Sequence, residues 1–212
     1  MPARTSASAV STPDVLPILE CGDPVLRRPA DPVDPARLGT AELRRLVARM
    51  RATMEAAPGV GLAAPQVGVS IQLAVLQDGP QRWGQLMPDE RAARERTELP
   101  FTVLVNPVLE PVDGDDLVSF YEGCLSVPAL TAVVARHRAV RVRALGEHGQ
   151  PVDEIFSGWP ARIAQHEIDH LGGRLYLDRA ETRSLSTVGN YAERWAGRPP
   201  ADAATALGFR LS

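Results

Sequence analysis

The sequence predicts a single α+β domain in which short, mostly antiparallel strands pack around a central metal-binding helix. Residues 165–170 read Gln-His-Glu-Ile-Asp-His, so two histidines lie four positions apart and share one face of a helix. Short apolar or alternating stretches bounded by turn residues predict strands, which occupy residues 71–76, 101–105, 117–120, 131–134, 140–145 and 152–156. The length of 212 residues suits one core of ordinary size.

The composition excludes several classes of protein. The net charge is −3 and the 23 basic residues, all arginine, form no basic block, which argues against nucleic-acid binding. No apolar run approaches the roughly 20 residues of a membrane span. Cys21 and Cys124 are far apart in sequence, so a disulfide is possible, but a reduced protein with one functional thiol fits better. We therefore expect a cytoplasmic protein without direct nucleic-acid or membrane binding.

The two ends of the chain are expected to lie outside the folded domain. Residues 1–13 are rich in Ser, Ala and Thr, and they predict a disordered N-terminal tail rather than a transit peptide because they are poorly basic. The prolines of residues 12–36 favour an extended segment that wraps the domain. Residues 190–212 contain Pro199 and Pro200 before an alanine-rich end, and we expect a loosely attached C-terminal tail. The catalytic domain should then span residues 14–189.

The first helix is predicted over residues 40–57. Its apolar residues recur at helical spacing, Thr40 can cap its start, and Pro58 and Gly59 close it. Residues 59–66 then read Gly-Val-Gly-Leu-Ala-Ala-Pro-Gln. Gly61 allows a ligand to approach the backbone closely, although a tight turn before a strand is the simpler interpretation of these residues alone.

Among the strand-like stretches, the second is expected to end at Asn106-Pro107, because proline cannot continue a strand ladder. Residues 77–100 are polar and predict a long surface excursion, in which Trp83 and Met87 pack either over a neighbouring element or over nothing. Residues 147–150 predict a turn, and residues 174–177 return to extended structure after the helix.

The metal helix has clear signals at both ends. Ser157 is a candidate N-cap, Pro160 is tolerated in the first turn, and Gly172-Gly173 provides a stop. His166 and His170 would hold one metal ion, and Glu167 could reach a water on that metal without being a ligand. The alternative is an amphipathic helix with structural histidines. A third ligand is needed, for which His137, His148, Cys21, Cys124 and the carboxylates are candidates. Cys124 could equally be a small buried apolar residue.

Three stretches together resemble the peptide deformylase family. They are residues 59–66, residues 122–126 (Glu-Gly-Cys-Leu-Ser) and residues 165–170, in the order of that family's three motifs. Residues 22–27 resemble its opening segment, and residues 157–159 and 183–188 resemble the branch that includes organellar deformylases. The resemblance covers residues 16–188, whereas residues 77–100 and the end of the chain depart from the family pattern.

This resemblance implies a metal-dependent hydrolase that removes the N-formyl group from the initiator methionine of new polypeptides. The metal would be Fe²⁺ (with Ni²⁺, Co²⁺ or Zn²⁺ possible), held by Cys124, His166 and His170. Glu167 would be the general acid and base. The remaining implied roles are an oxyanion site at the Gln66 amide and the Leu125 N–H, substrate contacts at Val60 and Gly61, and a brace formed by Glu122 and Arg136. The ribosome is a candidate partner, and the oligomeric state is left open.

Two other functions stay open at this point. One is a peptidase of the His-Glu-x-x-His class that cleaves within chains, and the other is a relative that binds peptide or metal without catalysis.

Trp159 and Ile163 lie seven and three residues before His166, so the three side chains lie on nearly the same helix face. We expect Ile163 and Trp159 to line a methionine pocket, with a core anchor as the alternative for Trp159.

Overall fold

The computed structural model describes residues 15–83, 86–112, 114 and 116–211. The predicted N-terminal tail, residues 1–13, lies outside the described residues. No helix in the described part is long and apolar enough to cross a membrane.

The order of helices and strands along the described part of the chain is that of an α+β fold, with five consecutive strands before the long helix Trp159–Leu171. The helices are α1 (Ala41–Ala56), α2 (Pro80–Trp83), α3 (Pro88–Ala93), α4 (Trp159–Leu171), α5 (Val188–Arg194) and α6 (Pro200–Leu207). The strands are β1 (Gly61–Ala63), β2 (Leu73–Asp78), β3 (Leu99–Pro111), β4 (Leu117–Cys124), β5 (Val127–His137), β6 (Ala139–Leu145), β7 (Pro151–Ser157) and β8 (Ser186–Thr187). Short 3₁₀ turns occur at Pro24–Arg27, Pro35–Arg37, Ala64–Val67, Tyr176–Asp178 and Thr182–Ser184.

The strands form two antiparallel sheets. One sheet has the order β1-β2-β3-β6-β7, and the other has the order β4-β5-β8. Helix α4 contacts β1, β2 and β7 of the first sheet and β5 of the second. Strands β1 and β4 are edge strands, and both line the same cavity beside α4. The predicted fold class, antiparallel strands around a central helix, is confirmed.

Helix α1 covers the first sheet as the apolar spacing predicts. Its buried side chains Leu43, Val47, Met50 and Met54 pack with residues of β1 and β2 in one core cluster. The Thr40 hydroxyl accepts a hydrogen bond from the Leu43 amide at 3.3 Å and caps the helix start. Burial of this apolar face fixes β1 in position at the edge of the sheet.

The start of α4 differs from the sequence prediction. Ser157 ends β7, and the N-cap is Gly158, whose φ of 62° and ψ of −131° lie where side-chain-bearing residues are strained. The predicted stop is found, since Gly172 caps the C-terminus and Gly173 adopts a φ of 72°.

The predicted end of a strand at Asn106-Pro107 is wrong. Strand β3 continues to Pro111, with a shift of register between Val105 and Val108 and a φ of 51° at Asn106. The Asn106 side chain accepts from the Val33 amide at 2.8 Å and donates to the Val33 carbonyl at 2.9 Å. These bonds stabilise the bulge and tie down the N-terminal segment.

The end of the chain contains helices that the sequence analysis did not predict. Residues 190–212 were expected to be a loosely attached tail, but they contain most of α5 and all of α6. Ala203 and Ala204 are buried, and Arg183 Nε donates to the Leu207 carbonyl at 3.0 Å. In addition, residues 174–177 run into a 3₁₀ turn, Tyr176–Asp178, rather than a strand.

The polar segment between β2 and β3 is anchored to the domain. It contains α2 and α3, and its Trp83 is buried with 8% exposure, whereas Met87 is 69% exposed. Asp78 is fully buried and forms two hydrogen bonds with Arg96, at 2.7 and 3.0 Å. This ion pair therefore anchors the C-terminal end of the segment to the end of β2.

Candidate active site

Three metal-ligating side chains meet between β4 and α4. One ligand atom of each of Cys124, His166 and His170 lies within 4.8 Å of the other two. Cys124 Sγ is 3.3 Å from His170 Nε2, and the two imidazole centroids are 5.0 Å apart. Both cysteines of the chain are free thiols, and Cys21 is exposed. One thiolate and two imidazoles are a donor set that suits Zn²⁺, Fe²⁺, Co²⁺ or Ni²⁺.

The hydrogen bonds around this cluster leave its donor atoms available to a metal. His166 Nδ1 lies 3.0 Å from Glu122 Oε2, so that Nε2 is the nitrogen left for a metal. Burial is the main factor that lowers the pKa of His170 well below its usual value, which keeps that imidazole neutral. The cluster therefore fits a bound divalent ion, with the Nδ1 of His170 left as a buried atom without a partner among the described residues.

Glu122 is the centre of a buried ion network. It accepts from Arg136 through both carboxylate oxygens at 3.0 Å and from Arg162 at 2.6 Å, in addition to His166. Burial by itself would raise the pKa of Glu122, but Arg136, His166 and Arg162 together hold it well below its usual range. For His166 too, burial opposes the charged form, yet hydrogen bonds with Cys124 and Glu122 raise its pKa well above the usual value. For both groups, the hydrogen-bonded partners outweigh the penalty of burial.

Arg136 joins this network to the helix that carries the histidines. Its Nη1 forms a close ion pair with Asp169, the residue before His170. Asp169 also accepts from Arg174 at 3.0 Å and from Arg179 at 2.8 and 3.0 Å. The predicted brace of Glu122 and Arg136 is thus a direct ion pair, extended by residues that sequence reasoning did not single out.

Glu167 lies in the same cavity as His166, against Gly61 of β1. Its side chain is 4% exposed, and its Oε2 has no hydrogen-bond partner among the described residues. Burial raises the pKa of Glu167 to about 7, with the charge of Glu122 adding to the effect of burial. A Cβ atom at Gly61 would lie 2.5 Å from Glu167 Cδ, so Gly61 leaves the space that this carboxyl group occupies.

Gln66 points its amide at the cysteine. Its Nε2 donates to Ser126 Oγ at 3.1 Å and lies 3.6 Å from Cys124 Sγ, while its Oε1 accepts from the Ala63 amide at 2.8 Å. The bond to Ala63 fixes the orientation of the amide, with the NH₂ group toward the cluster. Leu125, next to Cys124, lines the adjoining cavity.

A cavity of about 510 Å³ opens beside the cluster. Its lining includes the predicted substrate contacts Val60, Gly61, Trp159 and Ile163, together with Glu167 and His166. Trp159 is half-buried, lines this cavity and packs edge-on against Phe120, with the two ring centroids 6.0 Å apart. A second groove, of about 660 Å³, lies beside Leu99 and Phe156 and contains none of the predicted site residues.

Sequence reasoning missed Arg162, Asp169 and Arg96. Arg162 is 5% exposed and precedes His166 by one helical turn, a spacing that could have marked it as a neighbour of the ligand. Asp169 is adjacent to His170 in sequence, but its arginine partners come from distant segments. Arg96 lines the cavity from the long β2–β3 segment, and no motif marks it.

The site combines two histidines and a cysteine that can share one metal ion with a buried glutamate and an open cavity. This combination is typical of a metal-dependent hydrolase. The sequence model of the family described as polypeptide deformylase matches residues 15–185. This chain therefore belongs to the polypeptide deformylase family, and the resemblance inferred from the motifs is confirmed.

Individual relatives agree with this assignment. The chain is 57% identical over 197 residues to peptide deformylase 1 of Streptomyces coelicolor, covering 92% of this chain and 87% of that protein. It is 42% identical over 171 residues to the mitochondrial peptide deformylase of Homo sapiens, covering 81% and 70%. Among solved structures, the Met-Ala-Ser-bound class I type b peptide deformylase of Acinetobacter baumannii has a TM-score of 0.69 at 35% identity, covering 79% of this chain and 99% of that one.

Proposed function

We propose that this protein hydrolyses the N-formyl group from the N-terminal methionine of newly made polypeptides and releases formate. The observation that carries the proposal is the cluster of Cys124, His166 and His170 with Glu167 beside it, at the wall of a cavity large enough for a methionine side chain. A divalent ion held by these three side chains would lower the pKa of water and polarise the formyl carbonyl.

Glu167 is the general acid and base of the proposed reaction. It takes a proton from the attacking water and delivers it to the nitrogen of the leaving amine. Among the described residues its Oε2 has no hydrogen-bond partner, which supports this role, because a carboxylate already held by other groups would accept a proton poorly. Burial that brings its pKa near neutrality also suits a group that must both accept and donate a proton.

Gln66 and Leu125 stabilise the oxyanion that forms from the formyl oxygen. The amide of Gln66 is 1% exposed and its orientation is fixed by Ala63, so it can exchange its long 3.6 Å contact with Cys124 Sγ for a bond to the oxyanion with little reorganisation. The backbone N–H of Leu125 is the second donor, since it follows the cysteine at the edge of the same cavity. Removal of one such donor typically costs about 10²–10³ in kcat.

The substrate peptide binds as an added strand between the two sheets. Strands β1 and β4 are both edge strands, and their unpaired backbone groups can hydrogen-bond an extended peptide. Gly61 lies on β1, and Val60 precedes it. The methionine side chain then enters the cavity, where Val60, Trp159 and Ile163 supply the apolar wall.

We further propose Fe²⁺ as the native metal and the cytoplasm as the site of action, with the ribosome as the source of substrate. A site with one thiolate and two imidazoles suits Fe²⁺ but does not exclude its neighbours in the transition series, which makes the metal an experimental question. Metal analysis of protein purified without oxygen would answer it, and stoichiometric zinc with full activity would refute the iron proposal.

Deformylation of formyl-Met-Ala-Ser by the metal-loaded protein, with casein as the control substrate, tests the function. We expect turnover of the formyl peptide, no cleavage of casein, and loss of nearly all turnover in Glu167→Ala with metal content unchanged. Cleavage of casein without deformylation would identify an endopeptidase. Activity of Glu167→Ala within a few-fold of wild type would refute the role of Glu167.

A further inference from the structure

The long segment between β2 and β3 ends beside the methionine cavity and is fixed there by a buried ion pair. Asp78 is fully buried, and Arg96 donates to it through Nε at 2.7 Å and through Nη2 at 3.0 Å. The Arg96 side chain is 10% exposed and also lines the cavity. Two parallel hydrogen bonds hold the guanidinium in one orientation.

Arginines surround the indole of Trp159. The guanidinium carbons of Arg94, Arg96 and Arg162 lie 5.0, 5.4 and 5.7 Å from the ring of Trp159, within the range of cation–π attraction. Arg94 is held in turn by Glu90, 2.6 Å away on the same segment. Arg94 and Arg96 are thus each held by a carboxylate and also contact the ring of Trp159.

The backbone of the same segment contacts the start of α4. The Glu95 carbonyl accepts from the Trp159 amide at 3.4 Å, and Glu95 itself has a φ of 47°, which is rare for a residue with a side chain. A Cβ atom at Gly158 would lie 2.5 Å from Glu95 Cβ and 2.6 Å from its carbonyl oxygen. Glycine at the helix N-cap is therefore what allows residues 94–96 to approach Trp159 this closely.

We propose that Arg94 and Arg96 are positioning residues that hold Trp159 as a rigid wall of the methionine cavity. On this proposal, which rests on the function above, the β2–β3 segment is a determinant of substrate specificity rather than a surface excursion. A tryptophan fixed in one rotamer sets the width of the cavity. Once the ring is free to move, the cavity fits methionine less well and rejects shorter side chains less strongly.

The test compares Arg94→Gln and Arg96→Gln with a matched control, Arg91→Gln. Arg91 lies on the same segment, but its guanidinium lies over Trp83 at 4.9 Å rather than over Trp159. The measurements are kcat and KM for formyl-Met, formyl-norleucine and formyl-Ala peptides, calorimetric binding of the product Met-Ala-Ser and of Ala-Ala-Ser, and a thermal melt.

We expect Arg94→Gln and Arg96→Gln each to raise KM for the formyl-Met peptide about five- to tenfold and to lower the preference for Met over Ala by a similar factor, as loss of a cation–π contact with Trp159 predicts. The value of kcat should change by less than about threefold, since the reacting groups are untouched. Arg96→Lys should recover part of the preference, and Arg91→Gln should keep the wild-type preference. Unchanged selectivity in folded Arg94→Gln and Arg96→Gln, or an equal change in Arg91→Gln, would overturn the proposal.

Arg96→Gln leaves Asp78 buried without its partner and can fail to fold, in which case Arg94→Gln, whose partner Glu90 is partly exposed, decides the question. If the wild-type protein does not deformylate formyl peptides, the proposed function fails. The calorimetric preference for Met-Ala-Ser over Ala-Ala-Ser still tests whether Arg94 and Arg96 hold Trp159 as a wall of the cavity.

Discussion

Substitution of Gly61 by alanine should disable the general base without touching the metal ligands. The added Cβ would lie 2.5 Å from Cδ and 2.6 Å from Cγ of Glu167, whereas ordinary van der Waals contact begins at 3.4 Å. The carboxyl group must therefore retreat by about 1 Å, and a misplacement of that size costs about 10²-fold in rate. Gly61 has no positive φ, so alanine brings no backbone strain of its own.

The assay is kcat and KM for formyl-Met-Ala-Ser, with metal content measured on the same samples. We expect kcat of Gly61→Ala to fall about 100-fold while metal content stays at the wild-type level. Gly189→Ala is the matched control, because a Cβ there meets nothing within 4 Å.

A double-mutant cycle separates this mechanism from a simpler one. In Glu167→Ala the obstructed carboxyl group is gone, so adding Gly61→Ala should cost less than about threefold. If Gly61 instead only lets the substrate backbone approach β1, the substitution should raise KM and its effect should add to that of Glu167→Ala. Additive effects, or a change confined to KM, would refute the reasoning.

Three other predictions concern the cluster and its supports. Cys124→Ser should lose most of its bound metal while Cys21→Ser keeps it, because an alcohol is a much poorer ligand than a thiolate; equal metal content in the two would contradict the ligand assignment. Gln66→Ala should lower kcat about 10²–10³-fold with a smaller change in KM, and a kcat near wild type would exclude it as an oxyanion donor. Arg136→Met should lower the free energy of unfolding by about 3–5 kcal/mol, since it leaves Glu122 without its main partner; a melting temperature unchanged in calorimetry would contradict this.

The parts of the fold that the sequence predicted correctly depend on local periodicity. Helix α1 and the metal helix follow the 3.6-residue repeat, and their stops at Pro58 and Gly172 are local signals too. The N-cap of α4 was mispredicted because serine is the better cap by local preference, whereas the close approach of Glu95 requires Gly158. No short-range pattern contains that contact.

The other errors have the same origin. The pair Asn106-Pro107 reads locally as a strand end, but bonds to the distant Val33 turn it into a bulge. Pro199 and Pro200 read as a break in a tail, yet Pro200 occupies the first turn of α6, where proline is tolerated. In the site, the candidate metal ligands and the candidate general base came from the motifs, whereas Arg96, which reaches the cavity only through folding, was not predicted.

The ion network around Glu122 is better explained by placement of the ligands than by stability. Cys124 comes from the end of β4, whereas the two histidines come from α4, so the ligand set depends on how strand and helix are held together. Arg136, on β5, bonds Glu122 near the end of β4 and Asp169 on α4, and thereby links the two elements on either side of the cluster.

Buried ion pairs of this kind are often no more stabilising than well-packed apolar residues, because their desolvation offsets much of the attraction. Such ion pairs do fix the relative orientation of the residues that they join, because each guanidinium bonds its carboxylates in a fixed plane. Glu122 also fixes the tautomer of His166 through Nδ1 and leaves Nε2 for the metal. An apolar replacement of the network could preserve the fold and still lose the metal site, because strand and helix would no longer be set at the separation that three ligands on one ion require.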